Sequence, residues 1–297
     1  MEIRDFQLKL FGSLDAKRAV NVASVNQYSP FRYPGGKTWL VPFVIQWLIS
    51  QQKRPADFIE PFAGGAIIGL TVAIERLAQH VTLVEIDEQV AAVWKAIIYG
   101  DYHRLVERIA NFELTQENID FVLSSTYTSV EEKAFQTILR NRVNRGGILA
   151  PGAGKIKNGE NGKGLKSRWY PQTLCRRILK IGEVRERITF IEGDGLQILE
   201  QNAKRPDVVY FIDPPYTVAG KKAGTRLYTH FEIDHEKLFA IAETLYGEFL
   251  MTYDNVAAVK EMAERHGFVT EAVSMKNAHN REMTELLISR SIAWLRG

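Results

Sequence analysis

Side chains able to do chemistry recur where apolar stretches of this chain stop. The run Val208 to Tyr216 reads VVYFIDPPY and ends in Asp213, Pro214, Pro215 and Tyr216. Its β-branched and aromatic residues predict a buried strand. Neither proline offers an N–H and each fixes φ, so the strand must stop there. What remains at its carboxyl edge is a carboxylate acceptor, a stiff backbone carbonyl and an aromatic ring. Ligands of open α/β sheets bind at that edge.

Other stretches repeat the pattern. DFIEPFAGGAIIGL (57–70) reads as a strand, a glycine turn and a helix, the first unit of a nucleotide-binding α/β fold. Its spacing is neither the dinucleotide GxGxxG nor a phosphate loop with Gly-Lys-Ser/Thr, and a turn needed only for close packing is the plain alternative. VTLVEID (81–87) ends in Glu85 and Asp87, about 20 residues past the glycine turn, where an acid commonly receives ribose hydroxyls. ITFIEGDGLQIL (188–199) places Asp194 at a strand end, either capping the next helix or binding the amino group of a ligand base. PFRYPGGK (30–37) is a turn opening a helix, with Lys37 in reach of an anionic group.

The elements that must position these groups alternate strand and helix from residue 57 onward, which predicts a mainly parallel α/β sheet. Further strands are expected at Glu248–Tyr253 and as an edge hairpin of Phe268–Ser274 with Glu285–Ser291; an edge strand at Phe6–Phe11 would belong to an N-terminal extension, 1–29. From Gly100 to about Arg187 the pattern changes to two amphipathic helices, Tyr102–Phe112 and Val130–Asn141, a loop-like stretch, and a basic helix, Gln172–Arg187. The stretch is crowded with cations: Arg140, Arg142, Arg145, Lys155, Lys157, Lys163, Lys166 and Arg168 face one acid, Glu160. Such one-signed charge is a footprint for phosphates, and Asn141, Asn144 and Arg145 suit base edges; a solvated loop is the plain alternative. A further basic loop is expected at Thr217–Thr229.

Composition bounds the rest. The chain has 297 residues, 45% hydrophobic and 25% charged, with net charge +3, enough for one large core. Its single cysteine, Cys175, excludes a disulfide framework and a multi-cysteine metal site; no metal is expected. No apolar run reaches the roughly 18 residues of a membrane span, and the charged N-terminus is unlike a secretory signal. A cytoplasmic protein is expected.

Taken in order, GGK, PFAGG, VEID, EGD and DPPY resemble the Dam-type adenine-N6-specific DNA methyltransferases, in which the glycine motif precedes an inserted target-recognition domain and DPPY comes last. The resemblance covers most of residues 30–291. It implies a Rossmann-like S-adenosylmethionine-dependent methyltransferase sheet (30–99 and 188–297) with a mainly helical DNA-binding insertion (100–187). It implies that Tyr33, Gly36 and Lys37 contact S-adenosyl-L-methionine, with Tyr33 and Pro34 standing where the family often has Trp and Ala. Phe62, Gly64 and Gly65 then form the cofactor loop, Glu85 holds the ribose, Asp194 the cofactor adenine, and Asp213, Pro214 and Tyr216 are catalytic. The implied reaction moves a methyl group to the exocyclic nitrogen of an adenine flipped from duplex DNA. Asp213 and the Pro214 carbonyl accept the amino hydrogens, proline rigidity aims them, and Tyr216 stacks on the base. The partner is double-stranded DNA, a companion restriction endonuclease is an open option, and one methyl per event suits a monomer. The rival readings are a catalytically silent DNA-binding module, a cytosine-N4 or glutamine-amide methyltransferase, and a nucleotide-binding enzyme without nucleic acid. The intact Asp213, Tyr216 and Lys37 and the basic insertion argue against them.

Overall fold

The computed structural model describes residues 16–17, 19–33, 35–150, 152–157, 159, 162–215, 233–276 and 282–295. Seven strands form one sheet: β1 (Asp57–Glu60), β2 (His80–Glu85), β3 (Ile188–Glu192), β4 (Val208–Ile212), β5 (Glu248–Asp254), β6 (Val269–Lys276) and β7 (Glu282–Ser289). Their order is β3-β2-β1-β4-β5-β7-β6, parallel through β5, with β7 antiparallel to both β5 and β6. This is an open Rossmann-like sheet whose order reverses between β1 and β4, where a crevice opens at the carboxyl ends. The expected hairpin is present, but β7 is interior and β6 alone forms that edge.

The helices are α1 (Val41–Ser50), α2 (Ile67–Ile74), α3 (Glu88–Ile98), α4 (Tyr102–Ala110), α5 (Gln116–Ser124), α6 (Val130–Val143), α7 (Pro171–Gly182), α8 (Gly195–Asn202), α9 (His235–Thr244) and α10 (Ala257–Arg265). They cover both faces of the sheet. The strand pleat sends Val209 and Phe211 to one apolar cluster and Val208, Tyr210 and Ile212 to the other, so all five residues of β4 are buried. The first cluster also holds Leu105 and Ile109 of α4, Phe135 and Ile138 of α6, and Leu174 and Ile178 of α7. Helices of the 100–187 segment thus continue the core of one sheet face.

Two local expectations need correction. A third helix, α5, stands where only two were expected; Thr115 caps it, but just Ile119 and Val122 are buried, so its apolar period is weak. The basic helix ends at Gly182 rather than Arg187, where the glycine lies against the Tyr102 ring so closely that a Cβ would sit 2.5 Å from it. The proposed strand at 6–11, Tyr216 and the loop 217–229 lie outside the described residues. Among the described residues, no helix is long and apolar enough to cross a membrane, and no group of His, Cys, Asp and Glu could hold a metal ion.

Candidate active site

The strand ends converge on a cavity of about 1000 Å³. The turn after β1 forms its floor. Gly64 has φ +47° and Ala66 φ +50°, so the chain passes twice through the left-handed region. For Ala66 that region is strained, and strain of this kind concentrates at functional sites. The Tyr33 side chain lies directly on the turn: a Cβ at Gly64 would be 2.6 Å from Tyr33 Cε1, and one at Gly65 2.9 Å from Tyr33 Cβ. Gly36 donates its N–H to the Tyr33 carbonyl at 3.1 Å, which closes the preceding turn.

Glu85 ends β2 and is buried. Its Oε2 accepts the Gly64 N–H at 2.8 Å, and its Oε1 accepts Ile86 and Asp87 N–H at 2.8 and 2.9 Å. Burial outweighs these three bonds and holds the carboxyl up at about 7. Oε1 has two donors already, so Oε2 is the atom with capacity for a ligand hydroxyl. Asp87 is occupied in capping α3 through Gln89 and Val90. Asp194 is exposed; its Oδ1 caps α8 through Leu196 N–H at 2.9 Å, which leaves Oδ2 for a ligand. Gly195 lets that helix start touch the floor, since a Cβ there would lie 2.2 Å from the Pro61 carbonyl oxygen. Phe62, Ile86 and Leu196 add apolar lining beside Asp194.

The catalytic corner lies at β4. Asp213 accepts the Thr252 hydroxyl at 2.7 Å and the Lys37 ammonium at 3.0 Å, both on Oδ1. Lys37 is only 3% exposed, also donates to the Gly35 carbonyl at 3.0 Å, and stands 3.5 Å from Glu285 Oε2 on β7. Lys37, expected at the cofactor, lines the cavity and lies between these two carboxylates. Pro214 and Pro215 continue the lining next to Asp213.

Thr252, Glu285 and Glu60 were not anticipated. Glu60 is fully buried at the end of β1, accepts the Gly69 N–H at 2.8 Å, and is held well above the usual carboxylate range by burial. Its signal was an acid ending an apolar strand before Pro61.

The cations of the 140–168 stretch separate. Arg145, Lys157, Lys163 and Lys166 are exposed. Lys155 pairs with Asp120, and its backbone bridges Asn144 in a hairpin-like turn. Arg140 bonds Gln89. Asn144 is buried and donates to the Ile148 carbonyl at 2.8 Å. Asn141 is fully buried and ties the Arg32 backbone to Gly147. Arg142 is also buried and donates to the Pro30 carbonyl. Arg32, Arg142, Arg168 and Arg177 all line the cavity. Arg142 is pushed down to about 9, first by burial and then by Arg177, Arg32 and Arg168. Four arginines lining one cavity suit an anion.

The family model of the D12 class N6 adenine-specific DNA methyltransferases matches residues 33–283. No curated protein matches the chain. Similar solved structures include a putative RNA methyltransferase from Pyrococcus horikoshii (11% identity, 98% of each chain covered, TM-score 0.39). An rRNA methyltransferase from Streptomyces viridochromogenes is 12% identical over 96% of this chain and 90% of that one, with TM-score 0.38. A precorrin-6y C5,15-methyltransferase from Geobacter metallireducens is 12% identical over 83% and 84%, with TM-score 0.33. These three likenesses are too distant to carry an argument.

Proposed function

The chain belongs to the D12 class of N6 adenine-specific DNA methyltransferases, and from that premise we propose that its cavity receives one adenine swung out of duplex DNA at a specific site. The methyl donor is S-adenosyl-L-methionine, which supplies an electrophilic methyl on a sulfonium when bound. The cavity fits it. The volume of about 1000 Å³ lies at the upper end of the roughly 300–1,000 Å³ of small-molecule sites, leaving room for a base as well. Glu85 Oε2 suits a ribose hydroxyl, and Asp194 beside Phe62, Ile86 and Leu196 suits an adenine whose amino group donates. The floor at Gly64 and Gly65 has no room for side chains.

One observation carries the reading: Asp213 lines the cavity at the end of a buried strand, its carboxylate fixed by Thr252 and Lys37. An adenine amino group is a weak nucleophile because its lone pair is delocalised into the ring. Asp213 and the Pro214 carbonyl accept its hydrogens, which returns the lone pair to nitrogen and holds it toward the methyl. Two prolines remove backbone freedom from these acceptors, so catalysis here is positioning and fixed electrostatics. A paired adenine cannot reach this corner, so the base must leave the stack. Tyr216 is proposed to stack on it. The arginine lining then faces the phosphate of the displaced nucleotide, and the exposed Arg145, Lys157, Lys163 and Lys166 track the duplex. The motif order and the helical 100–187 segment support the Dam-type arrangement, with that segment as the target-recognition part. The enzyme is read as a cytoplasmic monomer, with a companion restriction endonuclease left open.

The test is incubation of random duplex DNA with labelled S-adenosylmethionine, followed by mapping of modified bases. N6-methyladenine within one short sequence is expected. Asp213→Ala should abolish transfer and leave cofactor binding largely intact; transfer by that variant at the wild-type rate refutes the mechanism.

A further inference from the structure

Glu285 has no role in the reaction as described, yet it sits in the catalytic corner. It lines the cavity, its side chain is 12% exposed, and it stands opposite Asp254 where β7 pairs with β5. Its Oε2 is buried and faces Lys37 at 3.5 Å, an ion pair too long to be a strong hydrogen bond. Lys37 is shared with Asp213 at 3.0 Å. Ionised, Glu285 adds one negative charge to a corner that already holds Lys37, Asp213 and Asp254. Protonated, it adds none.

Burying a second carboxylate beside Asp213 is unfavourable unless a cation arrives. The methyl donor is a sulfonium cation and the spent product, S-adenosylhomocysteine, is a neutral thioether. The two differ only in the methyl group and its charge. We propose that Glu285 is the charge discriminator of the cofactor site: its carboxylate adds the negative charge that favours the sulfonium donor over its neutral product. The inference rests on the S-adenosylmethionine reading and adds the device by which the site tells fresh donor from spent. Glu285 acts through Lys37, adding a second carboxylate to an ammonium already paired with Asp213, and so is a positioning residue.

Among the described residues, the charged groups facing Glu285 are Lys37 from the glycine loop, Asp213 from β4 and Asp254 from β5, and β6 places the apolar Val273 across from it. Burial pushes its carboxyl up to about 7, Lys37 draws it down, and Asp213 and Asp254 push it up again. Its charge therefore switches within reach of an ordinary titration. The discrimination is present above that value and lost as pH falls through it.

The experiment is calorimetric binding of S-adenosylmethionine and of S-adenosylhomocysteine to the full chain between pH 5.5 and 8.5, without DNA. Ribose, adenine, amino and carboxylate contacts are common to both ligands, so the ratio of the two affinities isolates the charge. In the wild type the ratio should rise about tenfold in favour of the donor as pH increases. In Glu285→Gln the rise should be markedly smaller, with homocysteine-product binding retained. In Glu285→Asp the slope should persist. A flat wild-type ratio overturns the proposal. So does an undiminished slope in Glu285→Gln, which would assign the effect to Glu85 or Glu60, or a flat ratio in Glu285→Asp. Should Glu285→Gln fail to fold, the wild type and Glu285→Asp still decide. Failure of both ligands to bind the wild type would instead refute the cofactor reading.

Discussion

The contact between Tyr33 and the glycine turn can be tested as a thermodynamic cycle with a built-in control. Gly64→Ala introduces two penalties. At φ +47° an L residue is strained by roughly 1–2 kcal/mol. Its Cβ would also lie 2.6 and 2.8 Å from Tyr33 Cε1 and Cζ, and overpacking of that kind costs about 1–3 kcal/mol. Tyr33→Ala removes those ring atoms and leaves the φ strain. Gly64→Ala should therefore destabilise by roughly 2–5 kcal/mol with Tyr33 present and by roughly 1–2 kcal/mol in the Tyr33→Ala background, a coupling of about 1–3 kcal/mol. Gly65→Ala is the control, because the atom it meets is Tyr33 Cβ at 2.9 Å, which alanine keeps. Tyr33→Ala should rescue the first glycine variant and not the second. Urea denaturation of the single and double variants, paired with calorimetric binding of S-adenosylhomocysteine, reads both stability and site integrity. Equal rescue at both positions, or at neither, would refute the view that the ring shapes the floor; so would a Gly64→Ala cost no larger than the φ strain.

Removing charge at Lys157, Lys163 and Lys166 should weaken duplex binding and flatten its salt slope by about 0.9 for each lost phosphate contact. Lys155→Gln should change the slope less, since that ammonium pairs with Asp120; an unchanged slope in the triple variant would make the segment a solvated loop. Stability should also depend on pH through the buried acids. Glu285 is raised from 4.5 to about 7 in the folded state, so the fold retains a proton that the unfolded chain releases above 4.5. Its stabilising contribution is complete below that pH and lost as pH rises through about 7, a change on the order of 3 kcal/mol. Urea titrations at pH 5 and pH 8 should show a smaller stability difference for Glu285→Gln than for the wild type; an equal difference would contradict the assignment. Arg32→Gln with Arg177→Gln should weaken binding of adenine-containing duplex by about tenfold at low salt while leaving S-adenosylhomocysteine affinity unchanged, as measured by fluorescence anisotropy and calorimetry.

Much of this architecture was legible because the parallel strands are buried on both faces, which turns them into short apolar runs with chemistry at one end. Asp57–Glu60 and Val208–Ile212 are such runs, and the breakers after them mark where the crevice lies. The site residues at strand ends and glycine turns were readable for the same reason: Gly64, Glu85, Asp194 and Asp213 are each set by local sequence. Thr252 and Glu285 were not. Each is one polar residue in an otherwise strand-like segment, and its meeting with Asp213 or Lys37 depends on the register of β5 with β4 and β7. The carboxylate partners of Lys37 could not be read from the glycine loop because they come from far along the chain. Counting polar and basic residues likewise could not separate Arg142 and Asn144, which hold backbone carbonyls in the interior, from Arg145 and Lys157 at the surface. Charge patterning reports sign, and burial is decided by packing between elements.

The position of β7 inside the sheet also sets a timetable. β5 is made before β6, yet its free edge is taken by β7, the later strand, in the register that sets Asp254 opposite Glu285. During synthesis the glycine loop, the cofactor floor and the DPP turn all emerge while that edge is still open. Lys37 then has Asp213 but not Glu285. The ribosome must deliver the chain through residue 288 before the pairing that runs from Met251–Ile288 to Asp254–Glu285 can form. A nascent chain stalled before β7 would hold the glycine loop, the turn after β1 and the Asp213 corner and lack Glu285, so the cavity is completed late, after the recognisable motifs are already in place.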